Sequence, residues 1–262
     1  MGILNVTPDS FAERGARLDP AAAADEGVRM EADGADLIDV GGESTRPGAE
    51  PVGADEELAR VLPVIRALHG RVRVPISIDT YKAGVARAAL AAGAAIVNDV
   101  SGLKYDPALA GVVAASGAAL VLMHTRGRPQ TMMAEAVYED VVREIAAELR
   151  GSLASASAAG VGIERIIVDP GIGFAKRPAH SYGVLARLAE LAAELERPLL
   201  VGASRKSFLR AAVDDRPAPE RDWGTAAAVT AAVLAGAHIV RVHAVAEMAQ
   251  VARVAEEIRR HG

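Results

Sequence analysis

A chain of 262 residues that is 51% hydrophobic and 24% charged can bury one substantial core, and its formal charge of −5 offers no basic face for nucleic acid or an anionic membrane. No window approaches the roughly 20 apolar residues of a membrane span, and MGILNVTPDSF at the start lacks the basic flank and apolar stretch of a signal peptide, so a cytoplasmic setting is expected. With no cysteine, disulfides, thiolate metal sites and cysteine nucleophiles are excluded.

Along the chain, short apolar runs alternate with helical stretches. GILNV from Gly2 predicts a first strand, and Pro20 to Asp33 carries helical spacing. ADLIDV from Ala35 and VPISID from Val74 predict strands on either side of a helix from Ala54 to Leu68. Further strands follow at AAIVNDV from Ala94, ALVLMH from Ala119, RIIVD from Arg165, PLLVGAS from Pro198 and AHIVRVH from Ala237. Helical spacing recurs from Thr230 to Ala235 and from Val245 to Arg260. Near-continuous Val, Ile and Leu suits parallel strands covered on both faces. Gly34, Gly93 and Gly236 stand where a helix C-cap would lead into the next strand. Eight such units in about 250 residues predict an α/β chain folded as one (β/α)8 barrel domain over residues 1–262. A doubly wound open sheet is the alternative, which eight regular units disfavour. Arg126 to Ala136 and Leu209 to Trp223 are expected to be loop-rich. Because the first strand begins at residue 2, a hairpin plugging the barrel floor is expected to be absent.

Each predicted strand ends in a polar residue. In order these are Asn5, Asp39 (with Glu43 beyond), Asp79, Asn98 with Asp99, His124, Asp169, Ser204 (with Lys206 beyond), and Arg241 with His243. A lone strand-end Asp is as often a helix cap as a ligand, but eight of eight point to one rim, where the sites of this fold lie. Asp79, Asn98 and Asp169 suit a flat heterocycle rich in N–H donors, such as a pterin or purine edge. Arg241 and His243 alternate along the last strand and share one face with each other. With Ser204 they suit a phosphate or diphosphate, and Asn5 could help hold a Mg²⁺ that also takes diphosphate oxygens. His124 reads as a packed strand-end histidine. His69, His180, His238 and His261 show no zinc-ligand spacing. A Schiff-base role for Lys206 is disfavoured, because it opens a helix rather than lying within a strand.

ILNVTPDSF from Ile3, DVGGESTRPGA from Asp39, SIDT from Ser77, NDVSG from Asn98, MH at Met123, DPGIGF from Asp169, SRKSFL from Ser204 and RVH from Arg241 together resemble dihydropteroate synthase, in order and over essentially the whole chain. STRPG, SRK and RVH are the specific elements. The resemblance implies an enzyme of folate biosynthesis, a target of sulfonamides. It condenses 6-hydroxymethyl-7,8-dihydropterin diphosphate with p-aminobenzoate and releases diphosphate by a largely dissociative route. It implies a pterin pocket of Asp79, Asn98, Val100, Met123, Asp169 and Lys206. The implied diphosphate site is Asn5, Ser204, Arg241 and His243 with Mg²⁺, and the implied p-aminobenzoate region is Thr45, Pro47, Phe174, Ser204 and Arg205. Thr45, Arg46, Asp79, Lys206, Arg241 and His243 would carry the catalytic roles. Two closing loops are implied, Thr7 to Gly15 and Gly42 to Glu50, as is a homodimer built through outer helices away from strands one to four. Gly41-Gly42 would free the second loop to move, and Pro47 would limit its conformations.

The chain departs from the family pattern at Glu13 and Arg14, where Asp and Gly are usual, at Ile172 for Phe and at Ala175 for Gly. Glu13 keeps the charge with a longer reach, which predicts altered lid closure. Ala175 should stiffen the loop beside the p-aminobenzoate region. A pterin-binding methyltransferase barrel would share the Asp79, Asn98 and Asp169 pocket but has no need of Thr45-Arg46-Pro47, Ser204-Arg205-Lys206 or Arg241-Val242-His243. A non-catalytic paralogue would lose STRPG and RVH first, and both are intact.

Overall fold

The computed structural model describes residues 1–7 and 19–262. Glu13 and Arg14, and the first loop from Pro8 to Gly15, lie outside the described residues. The strands are β1 (Gly2–Asn5), β2 (Ile38–Gly41), β3 (Ile76–Asp79), β4 (Ile96–Asp99), β5 (Ala119–Met123), β6 (Ile166–Asp169), β7 (Leu200–Val201) and β8 (Ile239–Val240). β1 to β6 pair in chain order as one parallel sheet, and β7 pairs with β8. Single parallel bridges, Val168 to Leu199 and Gly2 to Val242, join the two pieces at both seams. At the second seam Ile3 N donates to Val242 O at 3.0 Å, and Val242 N donates to Met1 O at 3.0 Å. The ring is a (β/α)8 barrel whose last two strands are short.

Pleating sorts the side chains. Leu4, Ile38, Val40, Ile78, Val97, Leu120, Leu122, Ile166, Val168 and Val201 join the large core under the helices. Their neighbours Leu37, Ile96, Ala119, Val121, Ile167, Leu200 and Ile239 form a second, smaller cluster with Met1. These fill the inside of the barrel at the start of the strands, so the floor is packed by side chains. The same alternation carries Asn5, Asp39, Asp79, Asn98, Asp169 and Arg241 to the inside near the strand ends.

Around the ring run α1 (Pro20–Ala32), α2 (Ala54–Leu68), α3 (Ala83–Ala91), α4 (Leu109–Ser116), α5 (Val141–Ala158), α6 (Pro178–Ala186), α7 (Leu188–Leu195), α8 (Arg210–Val213), α9 (Asp222–Leu234) and α10 (Val245–Arg260). Asp19 caps α1 by accepting from Ala21 N, and Asp140 caps α5 by accepting from Val142 N and Arg143 N. Gly34, Gly93 and Gly236 leave their helices with φ of +100°, +116° and +95°. α9 begins eight residues before the predicted Thr230. Its first turn is fixed from outside: buried Thr225 accepts from Arg205 N at 3.0 Å and donates to Arg221 O at 3.1 Å. Among the described residues no helix is long and apolar enough to cross a membrane.

Gly171 shows how tightly the rim is built. Its φ is +67°, and a Cβ there would fall onto the His124 carbonyl oxygen at the end of β5. Gly171→Ala should therefore cost about 2–5 kcal/mol, combining left-handed strain with overpacking against backbone. Chemical unfolding compared with wild type measures it, and a loss below about 1 kcal/mol would contradict this packing.

Candidate functional site

At the mouth of the barrel one guanidinium holds two acids. Arg241 Nε donates to Asp39 Oδ2 at 2.6 Å, and its Nη2 donates to Asp79 Oδ2 at 2.8 Å. Asn98 Nδ2 donates to the same Asp39 oxygen at 2.9 Å. Asp39 is fully buried, with Oδ1 lacking any partner among the described residues. Burial pushes the Asp79 carboxyl up to about 7. Arg241 opposes that shift, while the Asp39 charge adds to it. The second buried carboxylate beside Asp79 makes loss of its proton harder. Burial alone would lower Arg241, but the two acids hold it above its ordinary value. Val100 and Met123, expected from the sequence in the pterin pocket, are both buried.

On the opposite side, Asp169 Oδ1 accepts from Gly171 N at 2.7 Å, which satisfies the turn. Burial raises the Asp169 pKa, with Lys206 pulling against it. The absence of a side chain at Gly202 leaves room where Lys206 Nζ, Arg241 Cβ and Asp169 Oδ2 converge: a Cβ there would lie 3.7, 3.9 and 4.0 Å from them. Lys206 Nζ donates to Ile172 O at 2.6 Å and lies 4.5 Å from the centre of the Phe174 ring. Burial lowers this amine to about 8, against the attraction of Asp169. Asp99, by contrast, faces outward and is a cap, accepting from Ser101 N at 2.8 Å and Leu103 N at 2.6 Å.

His243 stands 2.9 Å from Ser204 Oγ through Nδ1, and its backbone N–H donates to the same hydroxyl at 3.2 Å. Burial and the nearby Arg241 push its pKa down to about 3, so the ring is neutral. With the hydroxyl donating to Nδ1, the Nε2–H is left for an anion. Arg205 turns outward instead: Nε and Nη2 grip Asp222 at 2.7 Å each, and its backbone sits at φ +57°. Asn5 lies inside the rim beside Gly41 of β2. Among the described residues no three His, Asp or Glu side chains gather as a metal site. A Mg²⁺ that keeps its waters and takes diphosphate oxygens needs little more than the Asn5 amide oxygen from the protein, so the donor set fits that ion and not a protein-caged one.

The second loop is clamped at its base and docked near its tip. Arg60 Nη1 donates to Gly42 O at 2.7 Å, and Tyr81 OH donates to Glu43 Oε1 at 3.0 Å. Lys82 bridges Glu43 to the buried Glu57. Gly48 N donates to Pro129 O at 2.8 Å. Between these points Thr45 is half-buried, and Arg46 and Pro47 are exposed. Arg46 is close enough to help lower the His243 pKa. Sequence reasoning missed this clamp, and it missed that Asp39 carries Arg241. The signal for Asp39 was present in its alternation with Ile38 and Val40.

A family model described as pterin binding enzyme matches residues 1–243. The chain is 47% identical over 258 residues to the dihydropteroate synthase of Synechocystis, covering 98% of this chain and 89% of that one. The Yersinia pestis dihydropteroate synthase, solved in a sulfonamide drug complex, superposes with a TM-score of 0.94 at 41% identity, covering 99% of this chain and 94% of that one. The Xanthomonas albilineans enzyme, solved with 4-aminobenzoic acid, superposes with a TM-score of 0.92 at 41% identity, covering 99% and 92%.

The raised Asp79 pKa has a consequence for stability. Asp79 titrates near 3.8 when unfolded and about 7 when folded, so between these values the folded chain binds more protons. Its contribution to stability therefore falls as pH rises from about 4 to about 7. Asp79→Asn should remove this part of the slope in urea unfolding at pH 5 and pH 7. An unchanged slope would show that Asp79 is ionised throughout.

Proposed function

Because the chain belongs to the dihydropteroate synthase family of pterin-binding enzymes, we propose that it joins 6-hydroxymethyl-7,8-dihydropterin diphosphate to p-aminobenzoate and releases diphosphate. The observation that carries this reading is the single mouth in which a slot of Asp79, Asn98 and Asp169 opens beside Arg241 and His243. A heterocycle bound to the acids and the amide would place its methylene carbon next to the anion cradle.

The residue roles follow from this geometry. The bond from the methylene carbon to the diphosphate oxygen breaks first, and the electron pair leaves with the diphosphate. Arg241, whose Nη1 has no hydrogen-bond partner among the described residues, donates to the departing oxygens, as does the neutral His243. Asn5 would help hold Mg²⁺, which when bound supplies positive charge to the diphosphate. Asp79 and Asp169 put negative potential beside the pterin cation. The arylamine lone pair then forms the C–N bond, and the amine loses a proton without needing a dedicated base. Phe174, Thr45, Pro47 and Ser204 would form the p-aminobenzoate side; Arg205, expected there from the sequence, keeps its guanidinium on Asp222 and leaves this side. Arg46 rides on the exposed part of the second loop, where it can reach the forming charge when the loop closes and excludes water.

A methyltransferase barrel would use the slot alone and would leave Arg241, Ser204 and His243 without a role. The arrangement also fits a cytoplasmic homodimer. Trp223, 89% exposed, and Leu234 lie on α9, and Val254 and Ile258 are exposed on α10. Trp223→Asp should shift sedimentation from dimer to monomer, and a wild type that already sediments as a monomer would end this reading.

Diphosphate release from the pterin substrate tests the main reading. Arg241→Lys keeps a charge but cannot reach both acids and an anion, and should lower kcat about 10²–10³-fold. Removing Mg²⁺ with EDTA should suppress release, and Asn5→Ala should raise the Mg²⁺ concentration needed. Asp169→Ala should abolish the pterin-induced rise in melting temperature. Wild-type release rates in Arg241→Lys would remove the anion cradle from the mechanism.

A further inference from the structure

One buried amine takes no part in the chemistry above. Lys176 is 2% exposed, and its Nζ donates to Phe174 O at 3.0 Å and lies 2.9 Å from His124 Nδ1. Burial drives the amine well below the ordinary lysine range and the His124 imidazole down to about 3, with Lys176 adding to the second shift. In either protonation state the amine has an N–H for each of its two acceptors. His124 Nδ1 then accepts, so Nε2 carries the hydrogen, 3.4 Å from Glu148 Oε2. Glu148 is in turn held by Lys104 at 2.8 Å and by Arg126 at 2.7 Å. The hydrogen bonds from Lys176 join His124 Nδ1 to the carbonyl of Phe174, while His124 Nε2 approaches Glu148 without a hydrogen bond.

The turn from Gly171 to Ala175 is held by two amines at alternate carbonyls. Lys206 takes Ile172 O at 2.6 Å, and Lys176 takes Phe174 O. Ala175 sits at φ +47°, unfavourable for a residue with a Cβ, and is pinned by Tyr138 OH donating to its carbonyl at 3.0 Å. Lys206 also lies in the pterin slot, so a bound pterin competes with Ile172 O for its amine. Lys176 makes its hydrogen bonds to His124 and Phe174 O and none to a slot side chain, although the charges of Asp169 and Lys206 reach it.

We propose that Lys176 is a positioning residue for p-aminobenzoate: it ties the Phe174 carbonyl to the His124 ring, so the aryl wall keeps its place when Lys206 turns to the pterin. The inference rests on the reading that Phe174 lines the p-aminobenzoate side. It gives Lys176 no contact with either substrate, so its effect should fall on one substrate alone.

Steady-state kinetics and pterin titration of Lys176→Met, Lys176→Gln and Phe174→Leu test it. Lys176→Met should raise the KM for p-aminobenzoate on the order of tenfold, because a buried carbonyl and a ring nitrogen lose their donor. The pterin Kd, measured without p-aminobenzoate, should stay within about twofold of wild type by the same reasoning. Lys176→Gln keeps one donor for the Phe174 carbonyl and should give an intermediate KM; it carries the test alone if the Met variant fails to fold. A wild-type KM in the Gln and Met variants overturns the proposal, as does a pterin Kd that worsens in step with KM. If Phe174→Leu also leaves KM unchanged, the placement of Phe174 fails, and the inference fails with it. If Phe174→Leu raises KM while the Lys176 variants do not, only the tether is lost.

Discussion

The site depends on the ion pairs that Arg241 makes across the barrel mouth. They link β8 to β2 and β3, joining residues separated by 202 and 162 positions in the chain. Buried charges are tolerated only when paired and hydrogen-bonded, and removing one partner strands the other at a cost of about 3–5 kcal/mol. Asp39 is the most constrained member, because it serves Arg241 and Asn98 through one oxygen and has no contact with solvent. It fixes a donor for the anion cradle and an amide for the heterocycle slot at once. The two halves of the site are therefore one electrostatic unit, which explains why Asp79 lies on their border with a carboxyl poised near neutrality.

The same economy shapes the second loop. A segment that moves as a whole would also lose its aim; here the base is buried, and exposure begins at Arg46. Arg60 at Gly42, with Tyr81 and Lys82 at Glu43, hold the base to the barrel wall, and Gly48 rests on Pro129. Thr45, Arg46 and Pro47 lie between these anchors. A loop so held closes over a short arc, with little conformational entropy to lose beyond those residues. The two glycines after β2 have different roles. A Cβ at Gly42 would press into Val61, so that glycine admits a close approach to α2. Gly41 lies inside the barrel against Asp79, where a side chain would crowd the slot.

Much of this was legible in the sequence because it is periodic. The eight strands and the inward set Asn5, Asp39, Asp79, Asn98, Asp169, Arg241 and His243 follow from alternation within each run. Pairings between distant elements were not legible. Nothing local in RVH indicates that Arg241 reaches Asp39, or that Arg205 turns its guanidinium away to Asp222 on α9. The start of α9 was misjudged for the same reason, since Gly224 lowers local helix propensity and the hydrogen bonds of Thr225 override it. Lys176 reads in sequence as an ordinary surface lysine beside Arg177, and only the fold shows it buried against His124.

The neutral His243 explains how charge is divided at the mouth. A protonated imidazole beside Arg241 would place two buried cations together in the empty site, and burial with that repulsion holds the ring pKa near 3. In the free protein Arg241 is already balanced by Asp39 and Asp79. That balance is less complete when Asp79 carries a proton, and its carboxyl, raised to about 7, titrates in the neutral range. A heterocycle donating N–H groups to Asp79 would favour its ionised form and draw Arg241 back towards it, while a diphosphate draws the guanidinium outward. On the proposed reading the slot and the cradle share one side chain, Arg241, so occupation of either would bear on the other.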